Sequence, residues 1–200
     1  MNIALLDADD VWLPEKLEQQ VTIMNSHPKV GMVYGDTLYW YSWTNNPEDL
    51  SRDFIPLSGV EPNVVIKHPS LLPMYLLGNT FAPCTCSVLI RRAIVKDMDG
   101  FDETFTGANN IYEDQAFYAK LCLRAPVYIA NTCWDRYRQH PAAYVSSYKR
   151  LDWSHPFSHF LNQPLLMKDY LAPYQNEIED FTNNNYDVID QEVLLWKLAH

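Results

Sequence analysis

Apolar and polar positions along the start of the chain predict a strand, a helix and a second strand. Residues 3–6 are wholly apolar and stop at the acidic segment 7–10, as expected where a buried strand reaches a sheet edge. Pro14 suits the first turn of a helix, and apolar residues then recur at helical spacing until about Ser26. That apolar stripe consists of Leu13, Leu17, Val21 and Met24. Residues 30–34 predict the next strand, which makes this segment a β-α-β unit.

The rest of the first 150 residues alternates between short predicted elements and loops. Residues 37–43 are rich in aromatic and β-branched side chains, which favours a strand. Residues 45–63 contain three prolines without clear periodicity, which indicates a surface loop. Further strands are predicted at 87–90 and 127–130, and a turn at 99–103. One further helix is predicted at 70–77. Another begins at 112–114 and has Phe117, Tyr118 and Leu121 on its apolar side.

The composition changes near residue 150. Residues 151–200 contain eight acids and only two bases, and their apolar spacing predicts helices. We therefore expect two parts: an α/β domain over residues 1–150 and an acidic helical C-terminal extension over residues 151–200. The extension is expected to be structural or to bind a partner rather than to catalyse a reaction.

The charge balance excludes some classes of function. The 200 residues include 15 Lys and Arg against 25 Asp and Glu, for a net charge of −10. Nucleic acid is therefore not an expected partner, because affinity for a polyanion comes mainly from Lys and Arg. No apolar run approaches the roughly 20 residues that cross a bilayer, and the N-terminus does not resemble a signal peptide. We expect a cytoplasmic protein.

The cysteines give little support for a zinc site. Cys84 and Cys86 form a Cys-x-Cys pair, which lacks the two-residue gap of common zinc knuckles. Cys122 and Cys133 have no metal-ligand partner close in sequence. Reduced structural thiols are the expected state, with zinc binding as the alternative.

The acidic segment after the first strand is the main chemical signal. Asp7, Asp9 and Asp10 could form turns and begin the following helix. However, two like charges 4 Å apart repel by about 4 kcal/mol at an effective dielectric constant near 20, so a cation among them would explain the crowding better. Oxygen ligands favour Mg²⁺ or Mn²⁺, which usually leave coordination positions for substrate phosphates. The pattern therefore indicates a phosphorylated substrate.

These segments together resemble family 2 nucleotide-sugar glycosyltransferases, which have the GT-A fold. The resemblance covers roughly residues 3–148 and lies in an ordered set of motifs: Asp7-Ala8-Asp9-Asp10 with residues 11–17, Gly100-Phe101-Asp102-Glu103, Glu113-Asp114, and Tyr137-Arg138-x-His140. It implies a Rossmann-like mixed sheet with flanking helices. It also implies transfer of a sugar from a nucleotide-diphosphate donor to a hydroxyl acceptor, with inversion and a divalent metal.

The resemblance implies a role for each residue that binds the donor or the metal. Asp7 and Asp9 match the Asp-x-Asp pair that holds the divalent ion and touches the donor, and Asp9 is the stronger candidate for direct metal contact. Arg138 and His140 match a segment that can place a basic or imidazole group near the diphosphate, so Arg138 is expected to bind the donor and His140 the metal. A polar strand end is the alternative interpretation of this segment.

The catalytic residues follow from the same resemblance, and the acceptor residues from their side-chain chemistry. Asp114 matches the general base that takes the acceptor's proton, and Glu113 is its neighbour or substitute. Alternatively, this pair stabilises a helix N-terminus. Trp40 and Trp43 could stack on a sugar ring, with core positions as the alternative. Trp40 is therefore expected to contribute to acceptor binding, as is Asp102, for which a turn is the alternative.

Relatives of this kind begin well upstream of the Asp-x-Asp motif. The sequence is therefore expected to represent an N-terminally truncated domain, and a complementary N-terminal segment is an expected partner. The other expected partners are a nucleotide-sugar donor and a glycan, lipid-linked or other hydroxyl acceptor. A lipid-linked acceptor would bring the protein to the inner face of the membrane as a peripheral protein.

Two other functions compete with sugar transfer. The first is a haloacid-dehalogenase-type phosphohydrolase, in which Asp7 would be the nucleophile and Asp9 the acid–base group. The second is a non-catalytic fragment or interaction domain that binds a partner through its acidic tail.

Overall fold

The computed structural model describes residues 1–76, 79–103 and 113–141. In this part of the chain, six strands form one mixed sheet. The strands are β1 (Asn2–Ala4), β2 (Val11–Trp12), β3 (Met32–Trp40), β4 (Val64–Ile66), β5 (Leu89–Arg91) and β6 (Val127–Arg138). The helices are α1 (Lys16–Ser26), α2 (Pro47–Leu50), α3 (Leu71–Leu76), α4 (Arg92–Asp97) and α5 (Glu113–Cys122), and short 3-10 turns occupy Ser42–Thr44 and Thr85–Ser87.

The sheet order is β1-β5-β3-β6-β2, and β4 pairs with the beginning of β6. β3 and β6 are parallel, whereas β5 is antiparallel to both β1 and β3. The two strands of the β-α-β unit therefore run in the same direction but have β5 inserted between them. The predicted α/β class with a mixed sheet and flanking helices is confirmed.

The pairing of β3 with β6 changes register near the middle of both strands. Tyr34 faces Ile129 and Thr37 faces Asp135, so β6 advances by six residues where β3 advances by three. Beyond this irregularity the ladder continues to Trp40 and Arg138. The first part of β6 thus lies in the core between β3 and β4, and its last part lies beside β2.

The sheet carries one apolar layer on each face. Met32 and Tyr34 point into a cluster that includes buried residues of α3 and α5. Val33 points the other way, into a smaller cluster with Met24 of α1 and Trp134 of β6. This alternation follows from the two-residue period of a strand. The predicted apolar side of α5 is confirmed, since its members Phe117, Tyr118 and Leu121 are buried.

The predicted apolar face of α1 is wrong at Leu17 and Val21, although its member Met24 is buried as predicted. Leu17 and Val21 remain 43% and 37% exposed, and the buried residues of the helix are Lys16, Gln20 and Met24. The helix therefore turns a largely polar face to the sheet.

Hydrogen bonds to β6 and to the segment before β5 explain this orientation. Nζ of Lys16 donates to the Ser87 carbonyl oxygen at 2.7 Å and lies 3.3 Å from Oδ2 of Asp135. Gln20 donates to the same carbonyl at 2.8 Å. Lys16 and Asp135 are both fully buried, and a buried charge is tolerated only when it is paired in this way.

The separate strand predicted at 37–43 is also wrong, because β3 is continuous from Met32 to Trp40 and the chain then turns. The carboxylate of Asp53 accepts hydrogen bonds from the backbone N–H groups of Tyr41 and Ser42, at 2.7 and 2.9 Å, which stabilises this turn. The predicted loop 45–63 does contain a short helix, α2, and it is followed by β4, which the sequence pattern did not predict.

The four cysteines are free thiols. Burial raises the pKa of Cys84 to about 12, and it also raises the pKa of Cys86, which lies fully inside the core. These environments suit structural thiols.

The predicted helices and domain part at residues 151–200 lie outside the described residues, and so does the predicted boundary near residue 150. Among the residues that are described, no helix has the length and apolar character needed to span a bilayer.

Candidate active site

The acidic segment 7–10 forms a tight loop between β1 and β2. The Asp10 N–H donates to the Asp7 carbonyl oxygen at 3.2 Å, which closes a turn. β2 then pairs with β6 through Val11 and Arg136. This pairing brings the end of β6 beside the acidic loop, although the two segments are far apart in the sequence.

Residues at the end of β6 hold the acidic loop directly. The backbone N–H of Arg138 donates to Oδ1 of Asp10 at 2.9 Å, and Nε of Arg138 donates to the Asp9 carbonyl oxygen at 2.7 Å. Nε2 of His140 lies 2.9 Å from Oδ2 of Asp9. The structure therefore brings Asp9, Arg138 and His140 together, three residues that the sequence motifs singled out.

The carboxylates of the loop differ in environment. Asp7 and Asp9 are exposed, whereas Asp10 is buried. Burial raises the pKa of Asp10 to about 6, with the Arg138 amide acting in the opposite direction. Asp10 therefore serves as an anchor for β6, and Asp7 and Asp9 remain open to a ligand.

Asp114 lies at the start of α5 in a different setting. Its Oδ2 accepts a hydrogen bond from the Thr85 hydroxyl at 3.3 Å, and its Oδ1 accepts one from the Gln115 N–H at 2.7 Å. Burial raises the pKa of Asp114 to about 6, and the negative charges of Glu113 and Asp7 add to this effect. A carboxylate with such a pKa is ionised at neutral pH and is more basic than an ordinary aspartate.

Electrostatic interaction connects the two acidic groups. Burial raises the pKa of Asp7, and both Asp9 and Glu113 raise it further. Asp7 in turn raises the pKa of Asp114. The acidic loop and the start of α5 therefore lie close enough for their charges to interact.

Two tryptophans surround the guanidinium group of Arg138. Its Cζ lies 4.9 Å from the ring centroids of both Trp40 and Trp43. Arg136 also approaches the Trp40 ring, at 5.4 Å. Such cation–π contacts add to the hydrogen bond that fixes Arg138. A role of Trp40 in acceptor binding stays a prediction.

Asp102 has a position near α5. It follows Phe101, whose ring stacks on Phe117 of α5 with the centroids 4.5 Å apart. The turn that contains Asp102 thus packs against the helix that carries Asp114. Its role in acceptor binding also stays a prediction.

The residues of the loop suit a hard divalent cation. Asp7 and Asp9 provide carboxylate oxygens, and His140 provides an imidazole nitrogen beside Asp9. Within residues 1–76, 79–103 and 113–141, no three His, Cys, Asp or Glu side chains converge closely enough to form a metal site by themselves. Mg²⁺ is commonly bound by one or two carboxylates together with substrate phosphates, so a site completed by the donor fits this arrangement.

Sequence reasoning did not select two residues that the site uses. Thr85 holds Asp114, but a threonine between two cysteines gives no signal for that contact. For Trp43 the sequence indicates only a core or sugar-stacking role, and its contacts with the end of β6 depend on the turn after β3.

Comparison with known proteins identifies the family. The family model described as glycosyltransferase like family 2 matches residues 2–159, a range that includes every motif discussed above. A search of curated proteins finds no match. The family match favours the glycosyltransferase prediction over the haloacid-dehalogenase alternative. Because the match covers most of the chain and the sheet is of the expected mixed type, this protein belongs to glycosyltransferase-like family 2 and has a GT-A-like α/β fold.

Proposed function

We propose that this protein transfers a sugar from a nucleotide-diphosphate donor to a hydroxyl acceptor, with inversion at the sugar carbon and with Mg²⁺ or Mn²⁺ as cofactor. The acceptor is a glycan, a lipid-linked sugar or another hydroxyl compound. Family membership supports glycosyl transfer in general, and the local geometry supports the more specific reaction.

Asp114 is the proposed general base. It is held by Thr85 and by the first turn of α5, so its carboxylate has a fixed direction. Its pKa of about 6 makes it a suitable proton acceptor for an attacking hydroxyl near neutral pH. Glu113 contributes negative charge that keeps this pKa raised.

The acidic loop is the proposed binding site for the donor diphosphate. Asp7 and Asp9 would bind the divalent ion together with the donor phosphates, His140 would orient the Asp9 carboxylate, and Arg138 would contribute positive charge close to the diphosphate. A bound divalent ion neutralises negative charge that gathers on the leaving diphosphate. The protein itself orients these groups through the contacts of Arg138 and His140 with Asp9.

The observation that carries the proposal is that the acidic loop, held by Arg138 and His140, lies near enough to the start of α5 for the charges of the two groups to interact. An inverting displacement requires a base on one side of the sugar carbon and a group that supports the leaving diphosphate on the other. The acidic loop and the start of α5 are neighbouring acidic groups that would supply these two functions.

The test is an assay of the purified full chain with Mn²⁺, a panel of nucleotide sugars and a panel of hydroxyl acceptors. We expect release of nucleoside diphosphate together with a glycosylated product, and NMR should show that the anomeric configuration has inverted. The matched control for Asp114→Asn in this assay is Asp97→Asn, which removes an exposed carboxylate at the end of α4. If no donor is consumed and Mn²⁺ has no effect on the protein, the non-catalytic interpretation replaces this proposal.

A further inference from the structure

Trp43 contacts three consecutive residues at the end of β6. Its indole Nε1 donates a hydrogen bond to the Gln139 carbonyl oxygen at 2.9 Å. Its ring centroid lies 4.9 Å from Cζ of Arg138 and 6.3 Å from the ring centroid of His140, with the two rings nearly perpendicular. One side chain thus covers the whole segment 138–140.

Segment 138–140 also forms the contacts that hold the acidic loop in place. Arg138 binds the Asp9 carbonyl oxygen and the Asp10 carboxylate, and His140 lies against the Asp9 carboxylate. Any shift of the segment would therefore change the direction of the Asp9 side chain. The β3–β6 ladder restrains the backbone of this segment only as far as Gln139, whose N–H donates to the Trp40 carbonyl oxygen at 3.1 Å, so the side-chain contacts of Trp43 add to that restraint and extend it to His140.

Trp43 is itself held in place by the turn after β3. Oδ1 of Asp53 accepts hydrogen bonds from the N–H groups of Tyr41 and Ser42, and Oδ2 accepts one from the Ser42 hydroxyl at 2.6 Å. Asn45 ends the turn in the left-handed conformation, with φ of 61°. The indole is therefore presented by a restrained backbone and not by a free loop.

We propose that Trp43 is a positioning residue for the donor diphosphate site. It fixes segment 138–140, and through Arg138 and His140 it fixes Asp9. The proposal rests on the proposed function for the identity of the ligand, although the contacts themselves do not depend on it. Trp43 is linked by these contacts to the acidic loop and not to Asp114, so its effect should fall on binding rather than on the chemical step.

The experiment compares three variants of the full chain. Trp43→Ala removes both the ring and the N–H donor, and Trp43→Phe keeps an aromatic face but loses the donor. Tyr128→Ala is the matched control, because it truncates an aromatic side chain near the opposite end of β6, where the ring packs 5.0 Å from that of His27. Two properties are measured: hydrogen exchange of the Arg138 and Gln139 amides by NMR, and the concentrations of donor and of Mn²⁺ that give half-maximal activity.

In Trp43→Ala we expect exchange of the Arg138 and Gln139 amides to become about tenfold faster, a change of about 1.4 kcal/mol in local opening. The half-maximal concentrations of donor and Mn²⁺ should also rise about tenfold, while kcat at saturation changes less than about twofold. Trp43→Phe should recover part of both effects, and Tyr128→Ala should show neither.

Unchanged exchange of the Arg138 amide in Trp43→Ala would overturn the proposal, whatever the activity. So would faster exchange combined with unchanged half-maximal concentrations, or an equal effect in Tyr128→Ala. A chain that transfers no sugar to any acceptor would refute the proposed function instead. In that case the exchange rates, together with the affinity of the chain for Mn²⁺ and UDP, still decide the role of Trp43.

Discussion

The hydroxyl of Thr85 donates a hydrogen bond to Oδ2 of Asp114 across 3.3 Å. This contact joins the segment before β5 to the first turn of α5. The candidate base is therefore attached to the sheet as well as to its own helix. A carboxylate restrained on both sides can remain aligned with an acceptor hydroxyl, which is a requirement for efficient proton transfer.

Asp114→Asn should abolish sugar transfer without loss of donor binding. Loss of a positioned general base reduces the rate by about 10²–10⁴-fold. The free energy of unfolding at pH 7 should not decrease, because the neutral amide avoids the cost of an ionised group at this partly buried position. Initial rates, donor titration and urea unfolding measure the three effects. Normal turnover in this variant would exclude Asp114 as the base.

The pH dependence of transfer should show the ionisation of Asp114. Because its pKa is about 6, the active carboxylate form is lost below that value, and kcat should rise with pH to a plateau above about 7. A rate profile that remains flat between pH 5 and 7 would contradict this assignment.

The ionisation of Asp114 should affect the stability of the fold in the opposite direction: as the pH rises, activity should increase and the contribution of Asp114 to stability should decrease. Its pKa in the folded state is raised above the ordinary value of 3.8, so the folded state binds the proton more tightly than the unfolded state does. The contribution of Asp114 to stability should therefore fall as the pH rises from about 4 to about 6, by at most about 3 kcal/mol. Subtracting the unfolding profile of Asp114→Asn from that of the wild type isolates this contribution.

Asp9→Ala should lose Mn²⁺-dependent donor binding but retain the fold. The substitution removes the carboxylate that lies beside His140, whereas the backbone carbonyl that binds Arg138 remains. Isothermal titration with nucleotide sugars in the presence and absence of Mn²⁺ measures the effect. Asp97→Ala, at an exposed position away from the loop, is the control and should bind as the wild type does.

Lys16→Met should destabilise the protein by about 3–5 kcal/mol, because it leaves the Asp135 carboxylate buried without its cation. The double variant Lys16→Met with Asp135→Leu should be less destabilised than the two single variants together, as in a double-mutant cycle. Urea unfolding gives all the values, and Lys29→Met, at an exposed lysine, serves as the control. Additive losses would indicate that the pair is not coupled.

Local patterns in the sequence are sufficient to predict several parts of the fold. The apolar face of α5 and the acidic loop after β1 depend on residues that lie close together in the chain. The same holds for Asp7, Asp9 and Asp114, whose motifs are short and contiguous. Resemblance to those family motifs is enough to select the three residues as candidates, and their roles stay predictions.

Other parts depend on contacts between distant residues. The inward face of α1 is polar because Lys16 pairs with Asp135, 119 residues further along the chain. No local periodicity can reveal such a partner, and hydrophobic spacing therefore favours Leu17 and Val21 instead. The contact of Thr85 with Asp114 and that of Trp43 with Gln139 cannot be predicted for the same reason.

The irregular pairing in the middle of β6 limits how this protein can vary in evolution. Between Ile129 and Asp135 the strand takes up three more residues than β3 does, which changes its register relative to β3, whereas Ala130 and Trp134 of β6 still point into the same cluster. A deletion of one residue there would reverse the facing of every later side chain, including Asp135 in the interior and Arg138 at the acidic loop. A substitution of the exposed Asn131 should therefore be compatible with function, whereas an insertion or deletion of one residue here should not be, and Ala130 is itself buried in the core.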